Sequence, residues 1–262
     1  MASTQDFNGK WALVTGASAG IGTALARELA GHGAKLILTA RRKERLDALA
    51  AELTAKGAEV RIVVADLNDT AAPQLIYDAT EGAGIAVDIL INNAGLGQYG
   101  AFVSSPIDQE MGQIRVNCEA VARVARLFVP RMVERKRGWI LVVSSLASFQ
   151  PVPYISTYAA TKAFDRMFAL GVAAEVARFG VKVTALCPGS TESEFFEVAR
   201  AGALRSHNVQ SAEEVAQRGL DALARGQRTI VPYFGGKFIA FLVRFLPVGL
   251  ITHFVEKGSR PK

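Results

Sequence analysis

Tyr158 and Lys162 stand four residues apart, and Ser145 precedes the tyrosine by thirteen. Residues four apart on a helix share a face, roughly 6 Å along the axis. A free tyrosine, with a pKa of about 10, is a poor acid near neutrality. An ammonium on the same face favours the phenolate and lowers that value. The pair reads as a proton-transfer group, with Ser145 able to donate a hydrogen bond to an oxygen of the reacting molecule. The spacing alone is cheap, because Tyr233 and Lys237 repeat it. Gly235 and Gly236 between them disfavour a helix, and no serine lies thirteen residues upstream. That second pair is read as structural.

A glycine-rich turn, Thr15-Gly16-Ala17-Ser18-Ala19-Gly20-Ile21-Gly22, follows the first apolar run. Such a turn aims backbone N–H groups and a helix N-terminus at a pyrophosphate, and side chains at Gly16, Gly20 or Gly22 would block the approach. A plain tight strand-to-helix connection has the same composition, so the next run matters. It reads Leu36-Ile37-Leu38-Thr39-Ala40-Arg41-Arg42. A free ribose 2′-hydroxyl calls for an acid near this strand end. Arg41 and Arg42 instead suit a 2′-phosphate, so the pattern favours NADP(H) over NAD(H). The plainer reading, two solvated arginines opening a helix, puts cations at the unfavourable end of the helix dipole.

These groups need a scaffold, and the apolar runs supply one. Strands are predicted at residues 11–15, 35–39, 59–65, 88–92, 139–144, 181–187 and 228–232. Helical periodicity lies between them at 20–32, 43–56, 73–81, 108–135, 157–179 and 211–225. The strands are continuous and β-branched rather than alternating, as strands buried on both faces are. The expectation is one α/β domain over residues 1–262: a doubly wound, Rossmann parallel sheet of about seven strands with helices on both faces.

Composition narrows the function classes. Two cysteines, Cys118 and Cys187, give no disulfide framework, and three histidines show no ligand spacing, so no metal is expected. The formal charge is +6, but the basic residues are scattered apart from Arg41-Arg42-Lys43 and Arg135-Lys136-Arg137. No nucleic-acid module is visible. No apolar leader and no membrane-spanning segment are read, so a cytoplasmic protein is expected.

Taken in order, the motifs resemble the short-chain dehydrogenase/reductase family, over residues 10 to about 232. The resemblance rests on the glycine turn, Asp66-Leu67, Asn92-Asn93-Ala94-Gly95, Asn117, Ser145, Tyr158 with Lys162, and Pro188-Gly189. It implies an oxidoreductase in which Asn117, Ser145, Tyr158 and Lys162 are catalytic, with Asn117 holding a water in a proton relay. It also implies an NADP(H) site of Gly16, Ser18, Gly20, Ile21, Gly22, Arg41, Arg42, Asp66, Leu67, Asn93, Ala94, Gly95, Tyr158, Lys162, Pro188, Gly189 and Thr191, and a homodimer or homotetramer. One departure stands out. Where the family often has a threonine five residues past the proline, this chain has Ser193, followed by Glu194.

Substrate choice is expected in residues 96–103, 146–156 and 194–208, with 190–210 as a lid. Leu96, Tyr99, Phe102, Phe149, Tyr154, Phe195 and Phe196 would form apolar walls for a hydrophobic ketone or aldehyde. A 3-oxoacyl-carrier reductase, its anionic carrier met by Arg200 and Arg205, is the close rival. A non-catalytic NADP(H) sensor is the rival of another class, and the intact proton-transfer set argues against it. The apolar extension at 237–262 is interrupted by Arg244 and Pro247. It packs on its own domain or a partner subunit, lies weakly on a membrane surface, or is a simple disordered tail, in that order of preference.

Overall fold

The computed structural model describes residues 3–195, 199, 201 and 209–261. Its strands are β1 (Trp11–Thr15), β2 (Lys35–Ala40), β3 (Val60–Val64), β4 (Val87–Asn92), β5 (Gly138–Val143), β6 (Val181–Leu186) and β7 (Thr229–Ile230). All pair in parallel, in the order β3-β2-β1-β4-β5-β6-β7. The chain winds outward from β1 to β3, then restarts at β4 on the other side of β1. That reversal opens a crevice at the carboxyl ends of β1 and β4.

Successive strand residues feed two separate cores, because side chains alternate across a pleated sheet. Ala12 and Val14 of β1 belong to one core and Leu13 to the other; Leu141 and Val143 of β5 are likewise separated from Ile140 and Val142. The first core is closed by α1 (Gly20–Gly31), α2 (Lys43–Ala55) and α7 (Ala212–Ala224). The second is closed by α3 (Ala72–Asp78), α5 (Ala120–Glu134) and α6 (Ser156–Val176). Burial on both faces is why β1, β2, β4, β5 and β6 read as unbroken apolar runs, while β3 at the sheet edge stays partly exposed. The predicted doubly wound sheet is the one observed.

Two expectations need correction. The single helix expected over 108–135 is α4 (Ile107–Ile114) and α5 joined by a π-helical turn, Arg115–Glu119. A π turn holds one extra residue without ending the helix, so apolar periodicity continues on both sides and hides it. Asn117 sits inside this turn. The glycines after Tyr233 do not prevent a helix either: α8 runs Phe234–Leu242, followed by α9 (Val248–Ser259). A Cβ at Gly236 would strike the Tyr233 ring at 2.5 Å, so tight packing there offsets the propensity cost. No helix among the described residues is long and apolar enough to cross a membrane.

Candidate active site

A cleft of about 620 Å³ opens over the carboxyl ends of the strands. Ser145 enters it two residues after β5, and α6 presents Tyr158 and Lys162 on one face. The Lys162 ammonium lies 6.0 Å from the Tyr158 ring centroid. Lys162 and a hydrogen bond with Ser145 pull the Tyr158 phenol down as expected, but burial outweighs them and holds it above its ordinary value. The Ser145 oxygen also accepts from the Ala147 amide at 3.1 Å, which fixes the serine at the head of a short 3₁₀ turn.

Lys162 has a partner that sequence reasoning missed. Its ammonium donates to the Val143 carbonyl and to Asp165 Oδ2, each at 2.8 Å. Asp165 has no exposed surface, and its Oδ1 has no hydrogen-bond partner among the described residues. Burial alone would lower the lysine's pKa, but Asp165 and Tyr158 outweigh it and hold it above its ordinary value. The only signal in the sequence is the i, i+3 spacing, and a lone aspartate on a helix ordinarily faces water.

Asn117, fully buried, braces this arrangement from behind. Its Nδ2 donates to the Leu96 carbonyl and to Thr161 Oγ1, each at 2.9 Å, and its Oδ1 accepts from the Leu96 amide at 2.8 Å. Thr161 in turn donates to the Tyr158 carbonyl. The π turn thus ties the loop after β4 to the helical turn that carries the tyrosine.

The nucleotide end is built from backbone. Gly16 and Gly20 have positive φ, 66° and 53°. The N-terminus of α1 begins after Ala19 with no side-chain cap, so its first amides face the cleft unclaimed by a side chain. A Cβ at Gly22 would land on the Gly16 carbonyl oxygen and on Asn93 Nδ2. Asn93 spans the crevice, donating to the carbonyls of Thr15 (2.9 Å) and Gly16 (3.2 Å). These features fit a dinucleotide: amides and space where phosphates go. Gly22→Ala is expected to weaken NADPH binding at least about tenfold, measured by fluorescence titration, because backbone must shift to admit the methyl group.

Most predicted residues meet in one place. Gly16, Ser18, Gly20, Ile21, Arg41, Arg42, Asp66, Leu67, Asn93, Ala94, Gly95, Pro188, Gly189 and Thr191 line the cleft with Ser145, Tyr158 and Lys162. Gly22 and Asn117 stand behind its wall. Of the expected substrate walls, Leu96 and Phe195 line it, and the Phe195 ring tilts over Tyr158 at 5.0 Å between centroids. Four aromatics do not line it. Phe102 is exposed, Phe149 stacks under Arg166, and Tyr99 and Tyr154 donate to Ser259 O and Glu256 Oε1 of α9. Phe196, Arg200 and Arg205 lie outside the described residues. Tyr233, read as structural, does line the cleft, packed on Gly189.

A proton-transfer group beside a dinucleotide cradle, on a doubly wound sheet, defines a nicotinamide-dependent oxidoreductase acting on CH–OH and C=O groups. A family model described as short chain dehydrogenase matches residues 10–203. The chain belongs to the short-chain dehydrogenase/reductase family. It is 36% identical to a very-long-chain 3-oxoacyl-CoA reductase of Anas platyrhynchos, over 96% of this chain and 80% of that one. Among solved structures, a short-chain dehydrogenase from Sphingobium yanoikuyae in complex with NADPH superposes with TM-score 0.81 at 32% identity, covering 91% of this chain and 96% of that one. A Burkholderia phymatum family member in complex with NAD gives TM-score 0.81 at 27% identity, covering 91% and 92%.

Proposed function

We propose that the protein is an NADPH-dependent reductase of a hydrophobic ketone or aldehyde, running reversibly as an alcohol oxidant. The observation that carries this reading is the convergence of Ser145, Tyr158 and Lys162 on a cleft whose outer wall is apolar: Leu96, Val152, Ile155, Phe195 and Ile239. The bound cofactor supplies or accepts the hydride. Ser145 donates a hydrogen bond to the substrate carbonyl oxygen, and Tyr158 gives its proton to the alkoxide as it forms. Lys162 stabilises the phenolate left behind. In the oxidative direction the same groups run backwards.

The 2′-phosphate preference rests on side chains, since solved relatives bind either cofactor form. Arg42 lines the cleft and donates to Ser18 Oγ from Nη2 (3.2 Å) and Nε (3.4 Å), and no acid occupies the end of β2. Arg45 and Arg42 both bind the Glu194 carboxylate and hold it below the usual range, so Glu194 would compete with a 2′-phosphate for these guanidiniums. Arg42→Ala is expected to weaken NADPH binding about ten- to a hundredfold, the worth of a charge-assisted hydrogen bond, and to leave NADH binding nearly unchanged. Glu194→Gln, which frees both guanidiniums, is expected to tighten NADPH. Calorimetric titration of each variant with both cofactors checks the pair of signs.

The named relative favours a second reading, reduction of a 3-oxoacyl thioester. NADPH oxidation across a panel of apolar ketones, aldehydes and 3-oxoacyl-CoA thioesters separates the two. Preference for the thioesters would move the assignment to them, and silence with every carbonyl would overturn both. The homo-oligomer expectation finds support in apolar side chains left exposed on α4 and α6, among them Ile107, Met111, Phe164 and Met167.

A further inference from the structure

The two C-terminal helices pack through a narrow strip and leave the rest bare. Gly236 and Ala240 of α8, and Ile251 and Ser259 of α9, are buried against the body of the protein. The Tyr99 and Tyr154 hydroxyls tie α9 down through Ser259 and Glu256. Outside that strip, Phe234 is 84% exposed, Phe245 70%, Phe254 65%, Val248 62%, Phe241 59% and Phe238 57%. So many large apolar side chains on two consecutive short helices and the turn between them mark a surface that is covered by something.

Charge says what covers it. Lys237, Arg244 and Lys257 are exposed among these apolar residues and have no ion-pair partner among the described residues. Glu256 is the only carboxylate side chain between Tyr233 and Pro261, and it already holds Arg260 at 2.9 Å and accepts from Tyr154. A second copy seated on this surface by a two-fold axis would bring like cations together with no acid to neutralise them. An anionic lipid surface meets both features at once: acyl chains take the aromatic rings and headgroups take the ammonium and guanidinium groups. The lengths agree. At 1.5 Å per residue α8 and α9 are about 13 and 18 Å long, too short to span a bilayer and suited to lying in its interface.

We propose that α8 and α9 dock the protein on an anionic membrane surface. Ile239 belongs both to this surface and to the wall of the cleft, so the docked face is continuous with the substrate compartment.

Flotation of the full chain with vesicles tests this. Phosphatidylcholine–phosphatidylserine vesicles of roughly 3:1 composition are expected to carry the protein, and pure phosphatidylcholine at least about tenfold less, since each basic residue contributes about fivefold at an anionic surface. The charge-reversed variant Lys237→Glu/Arg244→Glu/Lys257→Glu and the apolar variant Phe238→Ser/Phe241→Ser/Phe245→Ser should each lose binding to the anionic vesicles, with NADPH affinity and circular dichroism unchanged. Failure of wild type to float would overturn the proposal, and so would unchanged flotation of both variants. A third overturning result is an oligomer that the apolar variant dissociates, seen by analytical ultracentrifugation in wild type that ignores vesicles; it would assign the surface to a second copy.

Discussion

Tyr158→Phe is expected to lower kcat by about 10²–10⁴-fold, the worth of a positioned general acid, while the NADPH dissociation constant stays within about threefold of wild type. The split follows from geometry. The Tyr158 phenol is the proton donor hydrogen-bonded with Ser145, whereas the cradle at the other end is built from the glycine turn, α1 and Asn93. Removing one oxygen leaves the ring on Phe195 and the Lys162–Asp165 pair in place. Stopped-flow turnover and cofactor titration on the same preparation check it. Activity within a few-fold of wild type would remove Tyr158 from the chemistry, whatever the substrate proves to be.

How much of this was legible beforehand depends on whether local sequence or tertiary contact sets each feature. β1, β4, β5 and β6 could be placed to within a residue or so, because strands buried on both faces leave no polar alternation to confuse the pattern. The glycine turn was legible for a similar reason: Gly16 and Gly22 are fixed by close approach of backbone, and no other residue fits. Asn117 carried no local signal, since a π turn has no composition of its own and the residue entered only through family resemblance. The aromatics of the substrate loops misled. Phe102, Phe149, Tyr99 and Tyr154 are right in type, but α9 and Arg166 claim three of them and solvent the fourth. Asp165 was invisible because helical position says where a side chain points only after the neighbouring helix is known.

Asp165→Asn carries the other large effect. Removing one partner of a buried ion pair typically costs about 3–5 kcal/mol, because the remaining charge is left uncompensated. Here the stranded charge would be the Lys162 ammonium, left with neutral acceptors such as the Val143 carbonyl and no carboxylate beside it. The protein's answer is to lower the lysine's pKa, since burial already works in that direction and Asp165 is what opposes it. Two measurements follow. The wild-type lysine sits above its ordinary 10.5, so it contributes stability in full below that pH and loses it as pH rises through the raised value. The melting-temperature gap between wild type and Asp165→Asn should therefore be widest near neutrality and narrow in alkaline solution. In catalysis, a lysine that loses its proton sooner ceases sooner to stabilise the Tyr158 phenolate, so the alkaline limb of the kcat profile should move to lower pH. A merely structural aspartate would lower the melting temperature and leave that limb where it was. Movement of the limb with NADPH affinity retained would make Asp165 the positioning residue for Lys162, a role that its place three residues along α6 allows and its complete burial enforces.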